Sequence, residues 1–175
     1  YNRAMAYLLL GQWEQGWEDY EQRLEWAPFR KGLSNLPIWD GKPMPGKHLL
    51  VESDQGLGDV IMCMRWRERL EDESKMHVTW RVQRPLISLF PNEWEGTRCV
   101  PDDEPTPAGM DCQIPVMSLP HRLRVTPAYL AGGAPYWNDF TWNPVEGKVA
   151  ICWAGSPTHE NDAYRSLPVG VVQEL

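Results

Sequence analysis

The stretch that decides the fold is His48-Leu49-Leu50-Val51-Glu52-Ser53-Asp54-Gln55-Gly56-Leu57-Gly58-Asp59-Val60-Ile61. An apolar run typical of a strand leads into two glycines and an acid, and a helix then begins. Glycines at such a turn let backbone N–H groups approach a ligand, and the helix N-terminus attracts anions. The carboxylate of Asp59 is out of place in a simple phosphate-binding turn, because it repels an anion. A site that also needs a base would explain it.

Two nucleotide-binding motifs are excluded by the same stretch. Gly56 and Gly58 match the first two glycines of a dinucleotide fingerprint, but Ile61 stands at the third position. No Gly-Lys-Ser/Thr follows, so the turn is not a P-loop. Asp59 also has a structural explanation, because acids in a first helical turn stabilise the helix dipole. From the residues alone, that role and a role as base toward a hydroxyl both stay open.

Strands and helices alternate along most of the chain. We predict strands at residues 48–52, 76–82, 97–100, 111–114 and 148–153, and helices at residues 58–70, 85–90, 116–123 and from about 168. Such alternation is typical of an α/β fold with a parallel, Rossmann-like sheet. Ligands of these sheets bind beyond the carboxyl ends of the strands. The loops at residues 53–59 and 154–165 both lie at such ends.

The N-terminal part has a different, helical pattern. We predict helices at residues 2–10 and 13–26, joined at Gly11. An apolar stripe on the second helix consists of Trp13, Trp17, Tyr20 and Leu24. This αα-hairpin resembles a tetratricopeptide unit. Residues 28–47 are rich in proline and glycine, which indicates a linker or an arm lying on a surface.

The loop at residues 154–165 collects polar side chains that suit a diphosphate or a sugar. They are Ser156, Thr158, His159, Asn161, Asp162 and Arg165. Arginine would act there as a bidentate phosphate donor. The alternative is a solvated loop with Ser166 as a helix cap. Arg81 and Arg84 could also face an anion, but a solvated strand end is favoured for both.

Composition narrows the function classes. The net charge is −7 and the isoelectric point about 5.1, which argues against general nucleic-acid binding. No apolar run approaches the roughly 20 residues of a membrane span. Cys63, Cys99, Cys112 and Cys152 form no Cys-x-x-Cys pair and predict buried free thiols in a reducing compartment, the cytoplasm. We predict no metal, because His159 has no second His or Cys at ligand spacing, and we predict no other cofactor.

The motifs in combination resemble bacterial tetratricopeptide proteins that carry a heptosyltransferase-like glycosyltransferase domain. They are Leu-Leu-Leu-Gly-Gln-Trp-Glu-Gln-Gly-Trp-Glu-Asp-Tyr-Glu-Gln-Arg at residues 8–23, Trp39-Asp40-Gly41, Gln55-Gly56-Leu57-Gly58-Asp59, and Trp153-Ala154-Gly155-Ser156-Pro157 with Asn161-Asp162 and Arg165-Ser166. The resemblance covers essentially the whole chain. It implies a GT-B fold, in which two Rossmann-like domains face each other across a cleft. The implied division is a helical hairpin at 1–27, a linker at 28–47, an acceptor-side domain at 48–143 and the start of a donor-side domain at 144–175.

The resemblance also implies roles. Asp59 matches the proposed catalytic base, with Gln55, Gly56 and Gly58 lining the cleft. Donor contacts fall to Ser156, Thr158, Asn161 and Arg165, the last in place of a more usual lysine. The implied reaction is inverting, metal-independent glycosyl transfer from a nucleotide-sugar to an acceptor hydroxyl of a glycan, lipid or protein.

Two further expectations concern activity and partners. Because most of a donor domain is not in these residues, we expect the chain as given to be inactive. The rival hypothesis is a non-catalytic binding or scaffold module that binds a protein through the helical repeat. An exposed apolar sheet surface would also permit a homodimer.

Overall fold

The computed structural model describes residues 1–30, 32–90, 97–127, 152–156 and 161–172. The chain divides into two compact units, Tyr1–Asp139 and Phe140–Leu175, and each is described by itself. The predicted strand at residues 148–153 lies mainly outside the described residues. Cys152 and Trp153, which end it, are exposed and have no strand conformation.

The first unit is built on a four-stranded parallel sheet. The strands are β1 (His48–Glu52), β2 (His77–Val82), β3 (Thr97–Pro101) and β4 (Cys112–Pro115), in the spatial order β3-β2-β1-β4. In β1, four of five residues are buried, and its neighbours pair with it in parallel, with Leu49 opposite Val78 on one side and Cys112 on the other. The predicted α/β class with a parallel sheet is therefore confirmed.

The helical segment at the start of the chain begins with two antiparallel helices and continues as a 3₁₀ helix. It comprises α1 (Asn2–Leu9), α2 (Trp13–Tyr20), a 3₁₀ helix (Glu21–Glu25) and α3 (Ala27–Arg30). Gly11 has φ +75°, and the amides of Gly11 and Gln12 bond back to the carbonyls of Leu8 and Tyr7, which closes α1 with a Schellman motif. The predicted single helix at 13–26 is wrong beyond Tyr20, because the chain there changes to the tighter 3₁₀ winding.

The segment after α3 lies as an arm along the outer edge of the sheet. Ile38 forms a parallel bridge with Gln113 of β4, and Trp39 is buried with 2% of its surface exposed. The buried Gln113 amide donates to the carbonyls of Ser34 and Leu36 at 2.6 and 2.7 Å. The arm thus covers part of an edge that would otherwise present unpaired backbone groups.

Short helices follow β1, β2 and β4. They are α4 (Leu57–Met64), α5 (Arg67–Ser74), two further 3₁₀ helices (Arg84–Leu89 and Val116–Ser118) and α6 (Leu119–Arg122). The predicted helix at 58–70 is interrupted at Arg65 and Trp66, where the amide of Trp66 bonds to the carbonyl of Cys63 and the indole enters the core. Among the described residues, no helix combines the length and apolarity that crossing a membrane would require.

The second unit contains two single-turn helices among its described residues. They are α7 (Asp162–Arg165) and α8 (Val169–Val172). The second agrees with the helix expected from about residue 168, whereas α7 falls inside the stretch that we predicted as a polar loop.

Candidate functional site

The chain after β1 is held by a series of specific hydrogen bonds. We call residues 53–56 the β1 loop. The amide of Ser53 bonds to the carbonyl of Arg81 at 3.1 Å, and the side-chain Nε2 of Gln83 donates to the carbonyl of Gln55 at 2.6 Å. Both partners lie at the end of β2. The neighbouring strand therefore fixes two of the four loop residues.

Asp59 closes the same loop against the start of α4. Its Oδ2 accepts the backbone N–H of Gly56 at 3.0 Å, in the position of an N3 capping acid. Its side chain is half-buried, and its Oδ1 has no hydrogen-bond partner among the described residues. The capping role therefore exists, and it leaves one carboxylate oxygen available for a second contact.

The surface above α4 is open. Gly56, Leu57 and Gly58 are exposed, and a Cβ built on Gly58 would meet no atom within 4 Å. This space lies beyond the carboxyl end of β1, at the edge of the sheet where ligands of parallel sheets bind.

A buried ion pair joins the helical segment to the β1 loop. Arg23 and Asp54 both have fully buried side chains, and Nη2 of Arg23 donates to Oδ2 of Asp54 at 2.9 Å. The same Nη2 donates to Oγ of Ser118 at 3.0 Å, while Oδ1 of Asp54 accepts the amide of Met117 at 3.1 Å. Burial raises the pKa of the Asp54 carboxyl, and the attraction of Arg23 opposes that rise.

Glu21 extends this network toward α6. It accepts a hydrogen bond from Nη1 of Arg23 at 2.8 Å and lies 3.3 Å from Nη2 of Arg122 and 3.8 Å from Nδ1 of His121. Burial acts to raise the pKa of Glu21, but hydrogen bonds from His121, Ser118 and Arg23 together hold it below its ordinary value. The carboxylate is thus kept ionised inside the interface between α2 and α6.

Arginine side chains at the end of β2 have partners within the chain. Nη1 of Arg81 donates to Glu52 at 2.7 Å, and its side chain is only 13% exposed, so our prediction of a solvated end is wrong for Arg81. Arg84 is 59% exposed and binds Asp103 and Glu104. Both guanidinium groups therefore have acidic partners within the chain.

A cavity of about 260 Å³ lies beside the Glu21 network. Trp17, Pro120 and Val125 form apolar walls, and Glu14, His121 and Arg124 supply polar groups. Arg124 has φ +49°, an uncommon backbone state for a residue other than glycine.

In the second unit, Ser156, Asn161 and Arg165 from the predicted donor contacts are neighbours in sequence of residues that form a local turn. Oγ of Ser166 accepts the amide of Gly155 at 2.9 Å and donates to Oδ1 of Asp162 at 2.6 Å, so it caps the end of α7 rather than the start of the next helix. Arg165 is exposed, and its Nη2 lies 3.5 Å from where a Cβ on Gly155 would be. Ser156 and Asn161 are also exposed.

Two residues named in the predictions for this second loop have no described position. Thr158 and His159 fall outside the described residues. A shared cleft between Asp59 and Arg165 would involve both units and stays a prediction.

The cysteines differ in their surroundings. Cys63 and Cys112 are buried, Cys99 is intermediate and Cys152 is exposed. Burial raises the pKa of the Cys99 thiol to about 12. The prediction of buried thiols is therefore wrong for Cys152. Within the described parts of the chain, no group of three or more His, Cys, Asp or Glu side chains comes together as metal ligands would.

The sequence did not reveal Arg23, Asp54 or Ser118 as partners. Arg23 itself is the signal, because it stands between Tyr20 and Leu24 of the predicted apolar stripe. A lone cation beside an apolar stripe suggests a buried partner of opposite charge.

Part of the chain is similar to a known protein. A 67-residue stretch is 39% identical to Protein FlbA of Caulobacter vibrioides (strain ATCC 19089 / CIP 103742 / CB 15), covering 34% of this chain and 10% of that protein. The match thus spans about a tenth of the length of its relative. No family model matches the chain, and no solved structure matches it.

Proposed function

We propose that this chain forms the acceptor-side part of a glycosyltransferase, with Asp59 as the base. One observation carries the proposal: Asp59 is fixed by Gly56 through one oxygen, keeps the other unbonded among described residues, and borders open space above a parallel strand. The donor would be a nucleotide-sugar and the acceptor a hydroxyl of a glycan, lipid or protein. A heptosyltransferase-like GT-B architecture with a tetratricopeptide hairpin belongs to this proposal.

The proposed reaction is a single displacement. The acceptor oxygen attacks the anomeric carbon as Asp59 accepts its proton, and the nucleoside diphosphate leaves with the electrons of the broken bond. A positioned base contributes roughly 10²- to 10⁴-fold to such a step. The exposed guanidinium of Arg165, with Ser156, Thr158 and Asn161, would bind the leaving diphosphate, whose charge a bidentate donor stabilises.

The test is transfer of labelled sugar by the natural gene product that carries this chain, offered a panel of nucleotide-sugars and cell-extract acceptors. Asp59→Asn keeps an oxygen for the Gly56 amide but removes the base. We expect kcat to fall by about 10²-fold or more, with the free energy of unfolding changed by about 1 kcal/mol or less. Glu68→Gln is the matched control, because it neutralises a first-turn acid of α5 and should leave transfer unchanged. Full activity of the Asp59→Asn variant would contradict the proposal.

Gly58→Ala separates ligand approach from folding. The structure leaves room for its Cβ, and alanine favours a helix by up to about 1 kcal/mol over glycine, so the variant should fold at least as well. If a substrate approaches the backbone there, the added methyl group should raise KM. An unchanged KM would place the substrate elsewhere.

The second candidate is a scaffold that binds a protein partner without catalysis. The exposure of Leu9 and Leu10 on and after α1, 86% and 72%, favours it, because a partner could cover this area. Nucleotide-diphosphate sugars would then cause no thermal shift. If the chain forms a homodimer through the same residues, analytical ultracentrifugation should give the mass of a dimer for the wild type and the mass of a monomer for Leu9→Glu.

A further inference from the structure

The order of the strands reverses at one position in the sheet, between β1 and β4. The chain runs outward from β1 to β2 and β3, and β4 returns on the other side of β1, so the order reverses between these two strands. In open parallel sheets, the crevice beyond such a reversal is the usual place for a ligand. Here the segments that follow the two strands supply Asp54 and the pair Met117 and Ser118 to this position.

Arg23 joins the segments that follow these two strands. Its Nη2 lies 2.9 Å from Oδ2 of Asp54 and 3.0 Å from Oγ of Ser118. Its Nη1 donates to Glu21 at 2.8 Å, and its guanidinium carbon lies 4.4 Å from the ring centroid of Tyr20. Since the guanidinium is a rigid planar fork, these contacts together allow it little freedom.

Arg23 and Asp54 constrain each other strongly because both are fully buried. An ion removed from water without a partner costs several kcal/mol, so each side chain keeps the other in place. Asp54 is in turn the second residue of the β1 loop. The other hydrogen bonds of this loop come from the end of β2, from α4 and from the Met117 amide after β4, whereas Arg23 adds one from the helical segment.

We propose that Arg23 is a positioning residue, which fixes the β1 loop through Asp54 and so sets the placement of Gly56 and Asp59. The helical segment then contributes to the geometry of the candidate site through Arg23. The consequence for glycosyl transfer rests on the proposed function, but the positioning itself can be measured without any substrate.

The experiment is amide hydrogen exchange of the full chain, followed residue by residue. Asp54→Asn keeps an acceptor for the Met117 amide but removes the charge that Arg23 binds. We expect the amides of Gly56 and Asp59 to lose about ten- to a hundred-fold protection relative to those of Leu50 and Val51 in β1. A purely structural role would lower protection in the loop and in β1 by the same factor.

Glu52→Gln is the matched control for this experiment. Glu52 is a buried carboxylate two residues before Asp54, but its partners are Arg81 and the amide of Ser34. Its replacement should loosen the arm and leave the ratio between Gly56 and Val51 unchanged. Arg23→Lys is a second variant that keeps the charge but lacks the fork, and it should weaken protection at Gly56 and Asp59 in the same direction.

The outcomes separate this inference from the proposed function. Selective loss of protection at Gly56 and Asp59 supports positioning, even if the natural gene product shows no sugar transfer. Uniform loss, or no loss, in both the Asp54→Asn and Arg23→Lys variants overturns it, even if transfer depends on Asp59. If transfer occurs, Asp54→Asn should lower kcat more than it changes KM, because misplacing a base affects the chemical step.

Discussion

The two loops that carry the candidate site residues are held in different ways. The β1 loop is bound by β2, by α4 and, through the buried pair of Arg23 and Asp54, by the helical segment. In the second unit, the described residues 154–156 and 161–165 are linked by the short-range contacts of Ser166 with Gly155 and Asp162. One loop is thus part of a long-range charged network, and the described part of the other is a local turn.

This difference determines how each loop should respond to substitution. Removing one partner of a buried ion pair lowers the free energy of unfolding strongly, because the remaining charge is buried without water or a counter-ion. An exposed turn exchanges its lost contacts for water at little cost. The following predictions test that contrast, beginning with the largest expected effect.

Arg23→Met should destabilise the first unit by about 3–5 kcal/mol, because it leaves the Asp54 carboxylate buried without a cation. Urea unfolding followed by circular dichroism measures the change. Combining it with Asp54→Asn should recover much of the loss, since no uncompensated charge then remains. Arg165→Met, which removes an exposed guanidinium, is the control and should leave the unfolding midpoint unchanged. Additive losses in the double variant would show that Arg23 and Asp54 are not coupled.

Much of the sheet could be predicted from the sequence, because buried strands are short apolar runs bounded by polar or glycine residues. The prediction for β1 matches at both ends, and the other described strands match to within about one residue. The helices were predicted less well. Arg65 and Trp66 interrupt one helix because the indole of Trp66 packs into the core, and local periodicity contains no information about that contact.

The candidate site was predicted in part. The placement of Gly56, Gly58 and Asp59 after β1 followed from the strand, glycine and helix pattern. The pairing of Arg23 with Asp54 did not, because it joins residues 31 positions apart and depends on how α2 packs against the sheet. A charge in a sequence does not identify its partner unless the spacing is local, as it is within a helix.

Glu21 makes the stability of the charged network around Arg23 depend on pH. Its pKa in the folded chain lies below the ordinary value of 4.5, so the ionised carboxylate stabilises the fold above that pH. The contribution is lost as pH falls through the lowered pKa. Glu21→Gln should therefore cost about 1–3 kcal/mol at neutral pH, with the difference from wild type shrinking below pH 4.5.

Urea midpoints measured at a series of pH values provide the measurement for Glu21. Glu68→Gln is again the control, because the Glu68 side chain is 85% exposed and its variant should follow wild type at every pH. A difference between the Glu21→Gln variant and wild type that stays constant down to low pH would mean that the carboxylate charge is not what stabilises the network.

Gly155→Ala should have the smallest effect on stability, and it tests the turn in the second unit. The added Cβ would lie 3.5 Å from Nη2 of Arg165 and 3.6 Å from Oδ1 of Asp162, which is ordinary van der Waals contact. We therefore expect no loss of thermal stability. Gly16→Ala is the informative opposite, since its Cβ would meet Cδ2 of Leu8 at 2.7 Å and force α1 away from α2 at a cost of about 1–3 kcal/mol. If Gly155→Ala lowered stability as much as Gly16→Ala, the turn at Gly155 would be as tightly constrained as the helical segment. The two loops would then not differ in the way described above.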